Sequence, residues 1–184
     1  MIQFSVVTLV LPDGSFVLSF SGTDGSITGW KENLMMTYSK DLPCQILAKD
    51  YVKETIADIP ETSYLFGLKK EKGLSKDVFD GAFKGWNLAM YAYLKNPELQ
   101  GYIESVKSFD GPGFADGFWQ GDEDVSKITN YIPKDSIVGR VLNHREQTKI
   151  LDAQGSGLVQ HDTLMWSVDI KDFNYCDALT KESD

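Results

Sequence analysis

The chain has 184 residues, of which 42% are hydrophobic and 24% charged, and its formal net charge is −9. These proportions are ordinary for one soluble globular domain, and the length is sufficient to bury a substantial core. The negative charge argues against nucleic acid as a partner, because the phosphates would be repelled. No apolar run approaches the roughly 18 residues that cross a membrane. The N-terminus has no pattern of a secretion signal, so a cytoplasmic location is expected.

Few residues are suited to metal binding or disulfide formation. Cys44 and Cys176 lie far apart and in no metal-like spacing, which favours two reduced thiols over a disulfide. With two histidines and no cysteine cluster, neither a structural zinc site nor another metal site is expected. His144 and His161 are therefore the only candidates for a histidine base. We expect His144 to be solvated.

The first third of the chain predicts a hairpin, two helices and a strand. Apolar residues alternate around the turn Pro12-Asp13-Gly14, which is typical of an antiparallel hairpin. Pro43 suits the first position of a long helix, which should end at Pro60. In order, the predicted elements are strands at residues 4–11 and 15–20, helices at 30–38 and 43–59, and a strand at 62–66.

The remainder predicts a further alternation of helices and strands. Ser75 is a reasonable N-cap for a long helix that is closed by Asn96-Pro97. The predicted elements are helices at residues 75–94 and 122–131 and strands at 103–109, 136–142 and 147–153. This alternation predicts a single α/β domain, residues 1–184, with a mostly parallel sheet, an N-terminal antiparallel hairpin and helices on both faces.

In such a sheet, functional residues belong at the carboxyl ends of the strands, where loops meet helix N-termini. Four segments fall at these ends: the loop at 21–26, the region at 67–85, the loop at 110–114, and the loops that carry Asp135 and His161.

Several of these segments resemble the motifs of a bacterial class-three-lipase-like α/β-hydrolase family. The motifs are R-G-T-D…G-W-K-E, the helix after a G-H-S-K-G-G elbow, S-F-D-G-P-G-F, and the two segments that carry the triad aspartate and histidine. The matching residues, which span most of the chain, are 19–24 with 29–32, 87–92, 108–114, 133–139 and 160–162.

The resemblance implies an α/β-hydrolase-like fold and an esterase or lipase activity on a small-molecule or lipid ester, without a cofactor. The triad order would be Ser…Asp…His. By resemblance, Asp135 is the orienting carboxylate and His161 the base, and the comparable loop at 110–114 shapes the site. The backbone amides of Thr23 and Lys76 would form the oxyanion hole. Ser21 departs from the family's arginine.

The nucleophile elbow has two alignments. One places Gly81 and Gly85 over the glycines of the elbow, and Phe83 then replaces the serine and cannot attack a carbonyl. The other anchors on Gly73-Leu74-Ser75-Lys76 and makes Ser75 the nucleophile at a helix N-terminus.

These alignments leave two functions open. One is a serine hydrolase, and the other is a catalytically inactive protein of the same fold that serves as a binding or structural module. An N-terminal part found in longer relatives would be missing from the chain. No oligomeric state is predicted.

Overall fold

A six-stranded sheet organises the protein. The computed structural model describes residues 2, 4–22, 27–58, 64–65, 68–69, 78–80 and 84–180. The described elements are β1 (Val6–Val10), β2 (Phe16–Phe20), α1 (Ile27–Met35), α2 (Pro43–Asp58), β3 (Tyr64–Leu65), β4 (Leu68–Lys69), β5 (Val78–Asp80), α3 (Lys84–Leu94), β6 (Ser105–Phe109), β7 (Ile128–Pro133) and β8 (Gln147–Leu151). Short 3-10 turns lie at Pro97–Leu99, Val138–Arg140, Gly157–His161 and Thr163–Met165.

The strand order in this sheet is β1-β2-β5-β6-β7-β8. Strands β1 and β2 form the predicted antiparallel hairpin, in which Val6 pairs with Phe20 and Val10 with Phe16. The four other neighbouring pairs are parallel. The prediction of an α/β fold with a hairpin at one edge of a mostly parallel sheet is therefore confirmed. The carboxyl ends of β2, β5, β6, β7 and β8 meet at one edge of the sheet.

Helix α3 covers one face of the sheet. It packs on β2, β5 and β6, and α2 packs on α3 in turn. Leu88, Met90 and Tyr93 are completely buried although they point in different directions around the helix axis. Such all-round hydrophobicity is typical of a helix that lies between a sheet and another helix.

An aromatic cluster covers the other face. Phe109 and Tyr131 stack with their ring centroids 5.3 Å apart, and Trp166 and Phe173 pack against Phe109. Within the described residues, this face is covered by the C-terminal segment that carries Trp166 and Phe173. The sequence had predicted a helix on this face as well.

Several of the predicted elements were wrong in type or extent. The predicted helix at 75–94 is divided into β5 and the shorter α3. The predicted helix at 122–131 ends in β7, and the predicted strand at 136–142 is a 3-10 turn. Of the predicted strand at 62–66, the structure describes residues 64–65 as β3, which pairs with β4 outside the main sheet.

The sheet accounts for the two incorrect helices. Val78 and Phe79 lie between β2 and β6, and Ile128 lies beside Val106. β-Branched and aromatic side chains suit such a position, and pairing with neighbouring strands outweighs local helix propensity.

Two further expectations concern the membrane and the cysteines. Within the described part of the chain, no helix combines the length and hydrophobicity that crossing a bilayer requires. Among the described residues, neither Cys44 nor Cys176 forms a disulfide.

The start of α3 is fixed by a close backbone approach. A Cβ atom at Gly85 would overlap the carbonyl oxygen of Phe20, which ends β2. Glycine at this position therefore allows the helix to begin directly against the carboxyl edge of the sheet.

We predict that Gly85→Ala lowers the free energy of unfolding by about 1–3 kcal/mol, because overpacking against a rigid carbonyl exceeds the gain in helix propensity. Denaturant unfolding measures this change. Gly101→Ala is the matched control, since a Cβ there meets nothing within 4 Å. Equal stability of the two variants would contradict the close approach.

Candidate active site

A buried carboxylate stands at the carboxyl end of β6. Asp110 directly follows the last residue of this strand and is 0% exposed. Its φ of 61° is in the left-handed region, which aspartate tolerates better than most residues. Such a conformation persists where the surroundings hold it, and it is concentrated at functional sites.

Three groups hold the Asp110 carboxylate. The hydroxyl of Ser136 donates to Oδ2 at 2.5 Å, and the backbone N–H of Gly139 donates to Oδ1 at 3.0 Å. The third is the imidazole of His161, whose Nδ1 lies 2.8 Å from Oδ2. A buried carboxylate with donors on both oxygens is satisfied in its ionised form.

His161 is presented by the 3-10 turn that follows β8. The ring packs edge-on against Trp86, with the centroids 5.9 Å apart, and its side chain is 19% exposed. The turn is anchored by the buried side chain of Gln160, which donates to the carbonyls of Ala153 and Gly155. When Nδ1–H donates to Asp110, the proton-accepting nitrogen of the ring is Nε2.

The segment predicted to carry the orienting carboxylate has a different contact pattern. The backbone N–H of Asp135 donates to Oε1 of Gln160 at 2.9 Å, and Nε2 of Gln160 donates to Oδ2 of Asp135 at 3.3 Å. The neighbouring residues Ser136 and Gly139 are the ones that donate to Asp110. The carboxylate beside His161 is therefore that of Asp110, in the loop to which the sequence assigned a shaping role.

Two glycines allow the parts of the site to approach each other. A Cβ at Gly139 would overlap Oδ1 of Asp110, and a Cβ at Gly111 would lie 2.7 Å from Cβ of Trp86. Close packing therefore explains why Gly111, the first glycine of the S-F-D-G-P-G-F motif, carries no side chain. It brings the turn after Asp110 against the start of α3.

The elbow region lies between β5 and α3. Strand β5 ends at Asp80 on the carboxyl edge, and α3 begins at Lys84, so residues 81–83 connect strand to helix. Phe83 in this connection lies outside the described residues. So do the predicted nucleophile Ser75 and the predicted oxyanion residues Thr23 and Lys76.

His144, which the sequence predicted to be solvated, is partly buried, with a side chain that is 18% exposed. Its Nδ1 lies 2.6 Å from Oε1 of Glu146, whose side chain is 1% exposed. The sequence offered one unused signal: a glutamate stands two residues after the histidine, immediately before a strand.

Trp86 contributes a polar atom as well as an apolar surface. The residue is 1% exposed, and among the described residues its buried indole Nε1 has no hydrogen-bond partner. Among these residues there is also no group of three histidine, cysteine or acidic side chains arranged to hold a metal ion.

Comparison with known proteins decides the family. A family model described as Mbeg1-like matches residues 1–184. The chain belongs to the Mbeg1-like family. The assignment to a class-three-lipase-like family was therefore wrong, because the whole chain matches this family and no lipase or hydrolase family is found. No curated protein and no solved structure matches this Mbeg1-like chain.

We predict that Asp110→Asn removes the low-field Nδ1–H proton signal of His161, because the charged acceptor is lost. Proton NMR of the full chain measures this signal. Asp135→Asn is the matched control and should retain it, since its carboxylate bonds to Gln160. Retention of the signal in Asp110→Asn, or its loss only in Asp135→Asn, would contradict the described pairing.

Proposed function

We propose that the protein is an acyl-ester hydrolase with an α/β-hydrolase-like site, in which Asp110 orients His161 and His161 acts as the general base. The observation that carries this proposal is the 2.8 Å contact between Nδ1 of His161 and the buried carboxylate. Ser136 and Gly139 support it, because they leave the carboxylate little freedom to turn away. A carboxylate in this position fixes the tautomer of the histidine and stabilises the imidazolium.

The proposed reaction follows from the pairing of His161 Nδ1 with Asp110, which makes Nε2 the proton acceptor. Nε2 accepts the proton of a serine hydroxyl while the serine oxygen attacks the acyl carbonyl carbon. Backbone N–H groups stabilise the oxyanion, and the imidazolium returns the proton to the departing alkoxide. A water molecule then gives a proton to Nε2 and attacks the acyl-serine carbonyl. The serine oxygen leaves with that proton, and the carboxylic acid is released. Asp110 remains ionised throughout, and no cofactor is required.

Ser75 is the proposed nucleophile, with the amides of Thr23 and Lys76 as oxyanion donors. Asp135 then supports the turn that carries His161 through its bonds to Gln160. For this role the hydroxyl of Ser75 must come within about 3 Å of Nε2, or slightly more without a substrate. This requirement makes the assignment testable by labelling.

The proposed substrate is an ester with an apolar acyl group, from a small molecule or a lipid. Three residues close to His161 in the sequence expose large apolar side chains: Leu158 is 67% exposed, Val159 54% and Leu164 87%. Exposed apolar side chains beside a polar centre favour a ligand that has an apolar part and one reactive polar group.

A second candidate function is a catalytically inactive module that binds a ligand at the same site. It is favoured by Phe83, which stands in the connection between β5 and α3 where the elbow would carry its serine. Trp86 beside His161 adds a buried indole N–H that has no partner among the described residues.

We predict that a fluorophosphonate probe labels the folded protein at Ser75 and that Ser75→Ala abolishes the labelling. Peptide mapping identifies the site, and Ser21→Ala, at the end of β2, is the control that should still be labelled. Labelling at another serine would overturn Ser75 as the nucleophile. Absence of labelling at every serine would overturn the hydrolase and leave the binding module.

We also predict that Asp110→Asn lowers kcat for an activated ester by about 10³- to 10⁴-fold, because the histidine is held in the wrong tautomer. Asp135→Asn should reduce it far less. Steady-state kinetics of both variants measures the difference. Equal losses would contradict the assignment of the orienting role to Asp110.

A further inference from the structure

Both nitrogens of the His144 ring face hydrogen-bond acceptors. Nδ1 lies 2.6 Å from Oε1 of Glu146, and Nε2 lies 3.0 Å from the carbonyl oxygen of Val141. A neutral imidazole carries one N–H, whereas the imidazolium carries two and can satisfy both acceptors.

The contacts of Glu146 indicate which partner holds the proton. The backbone N–H of Arg145 donates to Oε2 at 3.0 Å, and the amide of Asn130 donates to Oε1 at 3.3 Å. Donors at both oxygens favour the ionised carboxylate, so the proton between the two side chains belongs to His144.

We propose that His144 is an imidazolium at neutral pH and that it acts as a positioning residue for Asp110. This inference rests on the proposed function in one respect, the orienting role of Asp110. His144 touches neither the reacting atoms nor Asp110 in any hydrogen bond of the described structure. It acts through the turn that follows Asp110.

Two connections link the His144–Glu146 pair to that turn. The carbonyl of Val141, which accepts from His144, also accepts the N–H of Gly113 at 3.0 Å. The amide of Asn130, which donates to Glu146, also donates to the carbonyl of Gly111 at 3.1 Å. The charged pair therefore fixes the two glycines that follow the orienting carboxylate.

The charges around His144 support its protonated form. Burial opposes the charge and is the largest single effect, but Glu146, the Val141 carbonyl and the more distant Asp110 together raise the pKa of His144 above its usual 6.5. The adjacent cation in the sequence, Arg145, is directed to Glu123 at 3.6 Å and to the ring of Trp119.

Two other charged side chains, those of Asp116 and Arg140, also have hydrogen-bond partners. Asp116 accepts a hydrogen bond from Asn143, and Arg140 donates to the carbonyl of Thr180.

The pH range in which this pair stabilises the fold follows from the directions in which the pKa values of His144 and Glu146 are shifted. Because the pKa of His144 is raised, its stabilising contribution is complete below about 6.5 and is lost as the pH rises through the raised value. Burial is the largest effect on Glu146 and opposes its ionisation, but His144 and backbone donors lower its pKa below the usual 4.5. Its contribution is therefore complete above about 4.5 and is lost in stronger acid.

Imidazole ¹H–¹⁵N correlation spectra from pH 5 to 9 test the protonation state directly, because the chain contains only two histidines. We predict that both nitrogens of His144 are protonated at pH 7 in the full chain. His144→Gln assigns the signals by removing one ring. A neutral His144 ring at pH 7, or one that titrates at or below 6.5, would overturn the inference whatever the enzymatic activity.

The positioning role is tested in Glu146→Gln. We predict that its His144 titrates at least one pH unit lower and that the Nδ1–H proton of His161 exchanges at least tenfold faster. Arg145→Gln is the matched control, which removes a neighbouring cation directed to Glu123 and should leave both readouts unchanged. Unchanged His161 exchange in a folded Glu146→Gln variant would refute the role. Failure of ester hydrolysis with both readouts as predicted would refute the proposed function alone.

Discussion

The site depends on one buried charge. Asp110 is placed at the end of a central parallel strand, in a left-handed backbone conformation and without solvent exposure. A carboxylate in this environment must be fully hydrogen-bonded, because an unpaired buried charge is strongly destabilising. Ser136, Gly139 and His161 supply the donors from two loops that are distant in sequence. The same charge therefore determines how these loops close over the carboxyl edge of the sheet.

The rest of the fold serves this arrangement. Parallel pairing of β5, β6, β7 and β8 brings the ends of all four strands to one edge. Gly85 allows α3 to start against the end of β2, and this places Trp86 beside His161. The aromatic cluster around Phe109 then fixes the strand that precedes Asp110. A second ion pair, between the partly buried His144 and the buried Glu146, lies in the loop that precedes β8.

Local sequence signals predicted a large part of the fold. The hairpin around Gly14, the helix from Pro43 and the strand before Asp110 were found because turn residues and apolar alternation are short-range signals. The strands at Val78 and Ile128 were missed, since each is stabilised by neighbours that are distant in sequence. Acidic residues before Ile128 resembled a helix start, but the β-branched and aromatic run that follows is buried in the sheet.

The candidate site was predicted less completely. The sequence indicated His161 and the segments around it, because motifs mark where loops meet strand ends. It could not indicate which carboxylate reaches the imidazole. Asp110 and Asp135 both follow strands, and only the three-dimensional path of the turns separates them. The partner and the partial burial of His144 were missed for the same reason, since both are set by the loop as a whole.

We infer that His161, oriented by a buried carboxylate, is the base of an acyl-ester hydrolase. The most direct test is hydrolysis of a short-chain p-nitrophenyl ester by the wild-type chain and by a folded His161→Ala variant. We predict measurable turnover by the wild type and loss of at least about 10³-fold in the variant. Equal rates for the two proteins, or wild-type turnover no faster than the reaction in buffer, would contradict it.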